Sequence, residues 1–295
     1  MKESANIKIV LGTAQFGLDY GISNTSGKVS KLIALEILDE ATKVGIDTLD
    51  TAIIYGDSEN ILGEAGVENF NIVTKLPPLP KNILNLNAWV LESIESSLNK
   101  LNVDRIYGLL LHQSGDLLGN YGSKLYSILC NLKKDRLVGK IGVSIYNPSE
   151  LDSLKDNGFE LDIVQAPFNI LDRRLETSGW LRKLKLSGVE IHIRSVFLQG
   201  LLLLDKNNRN QYFSKWADHF IEYDKWIKQT NQTPLSACLN FVNSYRDIDK
   251  MVVGVETAGQ LREIVLSIDN NYKIPLPDNL KINDAMLINP SNWRC

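Results

Sequence analysis

Eight short β-rich runs alternate with stretches of helical period along this chain, and that rhythm restricts the fold more than any other feature. The runs are IKIVLGTA from Ile7, GIDTLDTA from Gly45, NIVTKL from Asn71, IYGLLLH from Ile106, KIGVSI from Lys140, DIVQAPF from Asp162, VEIHIRSV from Val189 and KMVVGV from Lys250. Between the first two, SKLIALEILDEATKVG puts Ala34, Ile37, Leu38, Ala41 and Val44 on one face, with Ser30 as N-cap and Gly45 stopping the turn. SIESSLNKL after Trp89, YSILCNLKKDRLVG and LRKLKLSG repeat the pattern, each ending in a basic residue and most in a glycine. Such alternation predicts parallel strands joined by right-handed crossovers.

Two closures satisfy that order, a doubly wound open sheet and an eight-stranded barrel. The dinucleotide fingerprint GxGxxG is missing after the first strand, where LGTAQFGLDYG stands instead. No composition break or long linker divides residues 1–295. The expectation is an α/β protein with a single (β/α)8 TIM barrel domain over 1–295. Its chemistry should then lie at the C-terminal ends of strands or in the loops just after them.

Composition removes several classes of function. With 44% hydrophobic residues the chain can bury a large core, and its net charge of −3 is spread without blocks, giving no footprint for nucleic acid and no polybasic membrane face. No apolar run approaches the roughly 20 residues that span a bilayer, and MKESANIK lacks a signal-peptide core, so a cytoplasmic location is expected. Cys130, Cys238 and Cys295 are odd in number and far apart, which suits reduced thiols and neither a disulfide frame nor a metal site. The glycosylation sequons at Asn24 and Asn231 are then irrelevant.

Polar residues occur where a barrel enzyme would keep its chemistry. Asp50 closes the second strand, Tyr55 begins its loop, Lys75 closes the third strand and His112 the fourth. Adjacent strands lie about 4.8 Å apart, so these side chains converge on one patch. Singly, each reads as well as a turn cap or a solvated strand end; four on three consecutive strands argue for a site. A phenol has a pKa near 10, and a neighbouring ammonium, held by Asp50, would favour phenolate. A histidine alongside can orient a carbonyl or help deliver the proton. The set suits a phenol acting as general acid toward a carbonyl oxygen while a nicotinamide cofactor supplies hydride.

On these residues the chain resembles the aldo-keto reductases, from LGTAQFG to GVETAGQLREI. The segment DTAIIYGDSENILG is similar to the family's D-T-A-x-x-Y-G-x-S-E-x-x-L-G, and the catalytic tetrad of Asp, Tyr, Lys and His falls on Asp50, Tyr55, Lys75 and His112. LGTAQFGLDYGISN and RSVFLQGLLL resemble a bacterial branch associated with surface-polysaccharide and sugar-nucleotide genes. The resemblance implies a barrel that binds an extended dinucleotide across its mouth. It places the carboxamide near Ser144 and Gln165, and the pyrophosphate by Ser195, Val196, Leu198 and Gly200, with Gly12, Thr13 and Asp50 also on the cofactor surface.

Three departures from the family pattern stand out. Ile145 follows Ser144 where the family has Asn, so Asn169 becomes a candidate for the lost contact. Arg194 stands where relatives carry an aromatic ring stacked on the nicotinamide. A guanidinium can also stack, or reach a phosphate or substrate, or simply be held by a carboxylate. Third, Gly254 and Gln260 occupy the positions of cations that hold the 2′-phosphate of NADP, leaving Thr257 and Arg262 to bond it, with Glu263 for adenine. By family default NADP(H) is favoured narrowly over NAD(H).

Specificity is expected in QSGDLLGNYG after His112, DKNNRNQYFSKW after the seventh strand, and the tail from Asn271. Trp216, Trp226 and Trp293 could line a sugar-sized pocket, although Trp226, at helical spacing from Tyr223, also reads as packing. The leading reading is an NAD(P)(H)-dependent oxidoreductase that reduces an aldehyde or ketone, with a sugar or sugar nucleotide among the candidates, as a monomer or small homo-oligomer. A non-catalytic, cofactor-binding regulatory subunit of the same fold stays open, as does a lyase or isomerase using Lys75 as a Schiff base.

Overall fold

Parallel pairing runs from β1 through β8 and back to β1, closing a barrel with no free edge. The strands are β1 (Ile9–Gly12), β2 (Thr48–Asp50), β3 (Asn71–Leu76), β4 (Ile106–Leu111), β5 (Val138–Ser144), β6 (Ile163–Pro167), β7 (Glu190–Arg194) and β8 (Lys250–Gly254). The structure is a computed structural model that describes residues 8–24, 26–269 and 277–294. Ile7, the sequon residue Thr25, the first part of the tail from Asn271, and Cys295 lie outside the described residues.

All eight expected strands form, and helices cover every crossover. Local chemistry explains their ends. Ser30 Oγ accepts the Ile33 N–H, and the turn after the Lys31–Lys43 helix is completed by Gly45 at a φ of 81°. The Gly122–Lys134 helix stops earlier than its glycine suggested: Arg136, not Gly139, takes the left-handed turn, at a φ of 62°. Within DKNNRNQYFSKW after β7, Gln211–Trp216 forms a 3-10 helix. Among the described residues, no helix is long and apolar enough to cross a membrane.

Most of the core lies between the strands and the surrounding helices, while Val73, Leu110 and Ile163 form a separate apolar cluster. Register sets the mouth. Asp50 pairs with Gly12 on one side and Val73 on the other, Ser144 with Gln165, and Pro167 with Arg194. The polar strand ends therefore stand around one rim.

The Tyr55 loop is fixed by backbone contact. A Cβ on Gly17 would lie 1.7 Å from the Tyr55 carbonyl oxygen, and one on Gly56 would lie 2.5 Å from that of Gly17. Ser58 adds to the joint, its hydroxyl bonding the Thr13 carbonyl at 3.0 Å and the Thr13 hydroxyl at 2.8 Å. At the start of the Ser58–Ala65 helix, the Asp57 side chain caps no N–H and pairs instead with Lys28. Gly17→Ala should destabilise the protein by about 2 kcal/mol, in the usual range for overpacking. Urea denaturation measures it; a variant as stable as the parent would show that the two segments can part freely.

Candidate active site

A buried ion pair anchors the rim. Lys75 Nζ donates to Asp50 Oδ1 at 2.6 Å and to the Thr51 carbonyl at 2.9 Å, with the two side chains 1% and 5% exposed. Gln165 Nε2 donates to the other carboxylate oxygen at 2.6 Å, which orients the amide and leaves its Oε1 free to accept. A buried carboxylate is costly unless such partners satisfy it. Behind β3, the buried Glu59 takes hydrogen bonds from Thr74 and Ser97 and ties the strand to the Leu86–Leu101 helix.

Tyr55 stands against this pair. Its ring receives Lys75 Nζ at 5.2 Å from the centroid and meets His112 edge-on at 6.0 Å. The expectation that Lys75 draws Tyr55 toward phenolate is not met. The ammonium points at Asp50 and Thr51, and the phenol is pushed well above its ordinary pKa, first by burial and then by the Asp50 charge. It is a protonated donor at neutral pH. Burial and the Lys75 charge lower His112 to about 4, so its imidazole is neutral. His112 Nδ1 is buried without a partner among the described residues.

At this corner begins a cavity of about 430 Å³ lined by residues at the ends of β7, β8 and β1. It collects Gly12, Thr13, Asp50, Tyr55, Gln165, Arg194, Ser195, Val196, Gly200, Gly254, Gln260 and Glu263. Five expected residues do not line it. Lys75, His112 and Ser144 adjoin the lining residues Asp50, Tyr55 and Gln165 respectively, Leu198 buries its side chain, and Thr257 Oγ1 is the cap for the Gln260 N–H. The backbone after β7 is left-handed, strained at Ser195, Leu198 and Gln199 with φ values of 61, 49 and 53°, and unstrained at Gly200 with 90°. Such conformations turn backbone N–H groups toward one concave side, a shape that suits phosphate oxygens. Among the described residues, the Val196 and Phe197 N–H groups take no acceptor.

Several expectations at this surface change. Asn169 does not replace the missing Asn at Ile145, because its amide bonds the Ser195 carbonyl and caps the Leu171 and Asp172 N–H groups. Arg262 is no phosphate ligand in waiting; Glu40 holds it bidentately at 2.9 and 2.6 Å. Arg194 is not held by a carboxylate. It donates to the Ile145 carbonyl at 2.9 Å and Ser195 Oγ at 3.2 Å, and its guanidinium lies 4.6 Å from the Tyr146 ring centre. The tryptophans stay away from the cavity: Trp216 bonds Asp284, Trp293 packs on Phe213, and Trp226 is buried on its helix.

The mouth also contains residues that sequence reasoning missed. Tyr146 follows the end of β5 by two positions, where the rule of strand ends could have found it. Tyr20, Gly21 and Ser23 arrive from the β1 loop, joined to the β7 loop by the Ile22 N–H bonding the Gln199 carbonyl at 3.1 Å. No periodicity signals that contact. Gln15 fills the space beside Gly254, where a Cβ would come within 2.5 Å of its amide.

Comparison with known proteins agrees with this fold. The sequence model of the aldo/keto reductase family matches residues 8–276. Similar proteins include the uncharacterized oxidoreductase YqkF of Bacillus subtilis (strain 168), 25% identical over 86% of this chain and 88% of its own length. The NADH-specific methylglyoxal reductase of Escherichia coli (strain K12) is 28% identical over 60% of each chain. Among solved structures, the holo form of aldo-keto reductase AKR11C1 from Bacillus halodurans shares the fold with a TM-score of 0.71, at 20% identity, covering 92% of this chain and 89% of that one.

The state of His112 has a measurable consequence. Its folded pKa of about 4 lies below the ordinary 6.5, so the unfolded chain binds the extra proton more readily. The stability it contributes is complete above pH 6.5 and is lost as pH falls toward 4, on the order of 3 kcal/mol in all. His112→Gln should flatten that part of the profile, read from urea midpoints at pH 7 and 4.5. Identical slopes in parent and variant would refute it.

Proposed function

The chain belongs to the aldo/keto reductase family, and on that footing we propose that it reduces an aldehyde or ketone to an alcohol with NADH, Tyr55 giving the proton. One observation carries the reading. A phenol kept protonated stands beside a buried Asp50–Lys75 pair and lines a cavity of about 430 Å³ that also takes in the residues ending β1, β7 and β8.

When bound, reduced nicotinamide supplies the hydride. Gln165 Oε1 and the Ser144 hydroxyl offer the acceptor and donor that a carboxamide needs. Val196 and Phe197 N–H groups with Ser195 suit the pyrophosphate, Leu198 and Gly200 shaping their turn, while Gly12, Thr13 and Gly254 keep the floor low. Tyr55 donates its proton to the carbonyl oxygen as that atom gains charge, and the Lys75 charge against its ring stabilises the phenolate left behind. His112, neutral, orients the carbonyl rather than protonating it. Lys75 is salt-bridged and 1% exposed, which argues against a Schiff base.

Cofactor choice departs from the family default. The outer end of the cavity presents Glu256, Gln260 and Glu263, and the nearby Arg262 is committed to Glu40. A 2′-phosphate would meet carboxylates there, whereas a free ribose hydroxyl can donate to one. That one relative is named NADH-specific supports the same choice. No tryptophan lines the cavity among the described residues, and the reading is kept at an aldehyde or ketone.

Tyr55→Phe should lower kcat by about 10² to 10⁴-fold with little change in NADH binding; a loss below tenfold rules out the assignment. Wild-type kcat/KM should favour NADH over NADPH. Gln260→Arg should tighten NADPH binding by roughly 1.5–3 kcal/mol, and a parent enzyme that prefers NADPH would disprove the cofactor reading.

A further inference from the structure

Among the described residues, no carboxylate pairs with the Arg194 charge. Among the described residues lining the cavity, it is the sole Lys or Arg. Its polar partners are a carbonyl and a hydroxyl, and no carboxylate bonds it. Asp50, an acid of the same cavity, is already spent on Lys75 and Gln165. A guanidinium has five N–H donors, and these two bonds leave the others unengaged.

The group is also held in place. Tyr146 stacks against it, and the backbone of Tyr146 is pinned from both sides. Glu150 Oε1 accepts the Tyr146 and Asn147 N–H groups at 2.8 and 2.7 Å, and Arg174 donates to the Tyr146 carbonyl at 3.0 Å. Arg174 is in turn bound to the buried Asp172. A cation fixed in this way loses little side-chain entropy when it takes an anion. It also stands near the chemistry, since its charge is felt at both Tyr55 and His112.

Resting on the reductase reading, we propose that Arg194 selects carbonyl substrates bearing a carboxylate, an oxo acid rather than a neutral aldehyde. One unpaired guanidinium matches one negative charge, and its planar fork matches two carboxylate oxygens. A charge-assisted bond at a half-buried site is worth on the order of 10 to 100-fold in affinity.

The test assays the full chain with NADH on two matched pairs, 4-oxobutanoate against butanal and 4-carboxybenzaldehyde against benzaldehyde. The anionic member of at least one pair should have the higher kcat/KM by tenfold or more. Arg194→Met should bring that ratio close to one, chiefly through KM, and Arg194→Lys should retain part of it. The NADH dissociation constant, from fluorescence quenching, should move far less than the ratio. A wild-type ratio near one overturns the proposal. So does an Arg194→Met enzyme that loses both members equally while NADH binding weakens in step, for then the residue serves the cofactor. If no aldehyde is reduced, the reductase reading fails, and binding of benzoate against benzyl alcohol to the NADH complex decides the point. Benzoate binding that needs Arg194 upholds the proposal, and its absence overturns it.

Discussion

The ion pair between Asp50 and Lys75 is the interaction on which the rest of the mouth depends. Taking two such charges out of water costs several kcal/mol per ion, and the pair is tolerable because both carboxylate oxygens and two of the three ammonium protons find partners. The Thr51 carbonyl takes a second Lys75 proton, and Gln165 satisfies the far carboxylate oxygen. Those partners come from β2, β3 and β6, so only a closed barrel assembles them. Removing one partner would leave a buried charge exposed to the full desolvation penalty, which makes the network rigid as well as costly.

That rigidity determines the state of Tyr55. With the ammonium occupied, the phenol feels burial and the Asp50 charge more than it feels Lys75, and it keeps its proton. The site is thereby biased toward giving a proton to an oxygen that is becoming negative. Lys75 still contributes, since its charge lies against the ring and favours the phenolate once the proton has gone. Backbone packing does the remaining positioning. Gly17 and Gly56 meet so closely that the Tyr55 loop has one resting place.

The rest of the cavity is built mainly from backbone and loops. Left-handed residues at Ser195, Leu198 and Gln199 each cost about 1–2 kcal/mol, and the β1 loop packs over them through Ile22 and Ser23. This arrangement provides N–H donors where a doubly wound fold would use a glycine-rich strand-to-helix turn. Charge is distributed unevenly along the same surface. Carboxylates stand at the outer end and a lone guanidinium near the reacting corner, so the two ends favour different partners.

The sequence by itself determined the strand and helix order, the barrel, and the four polar residues at the ends of β2, β3 and β4. Those features are local or periodic: burial imposes a period on each strand, and the barrel rule assigns chemistry to strand ends. The motif around Tyr55 was legible for the same reason, being contiguous in the chain. Only the tertiary structure decided how those residues are paired. That Arg262 is spent on Glu40, 222 residues away, and Asn169 on its own turn and Ser195, depends on which side chains meet after folding. The protonation of Tyr55 and the neutrality of His112 were decided there too, because desolvation is a property of the assembled interior rather than of residue type. The tryptophans show the same limit: composition offered them to the pocket, and packing against Phe213 and Asp284 placed them elsewhere, since an indole buries its face wherever neighbouring apolar surface and an acceptor for its N–H coincide.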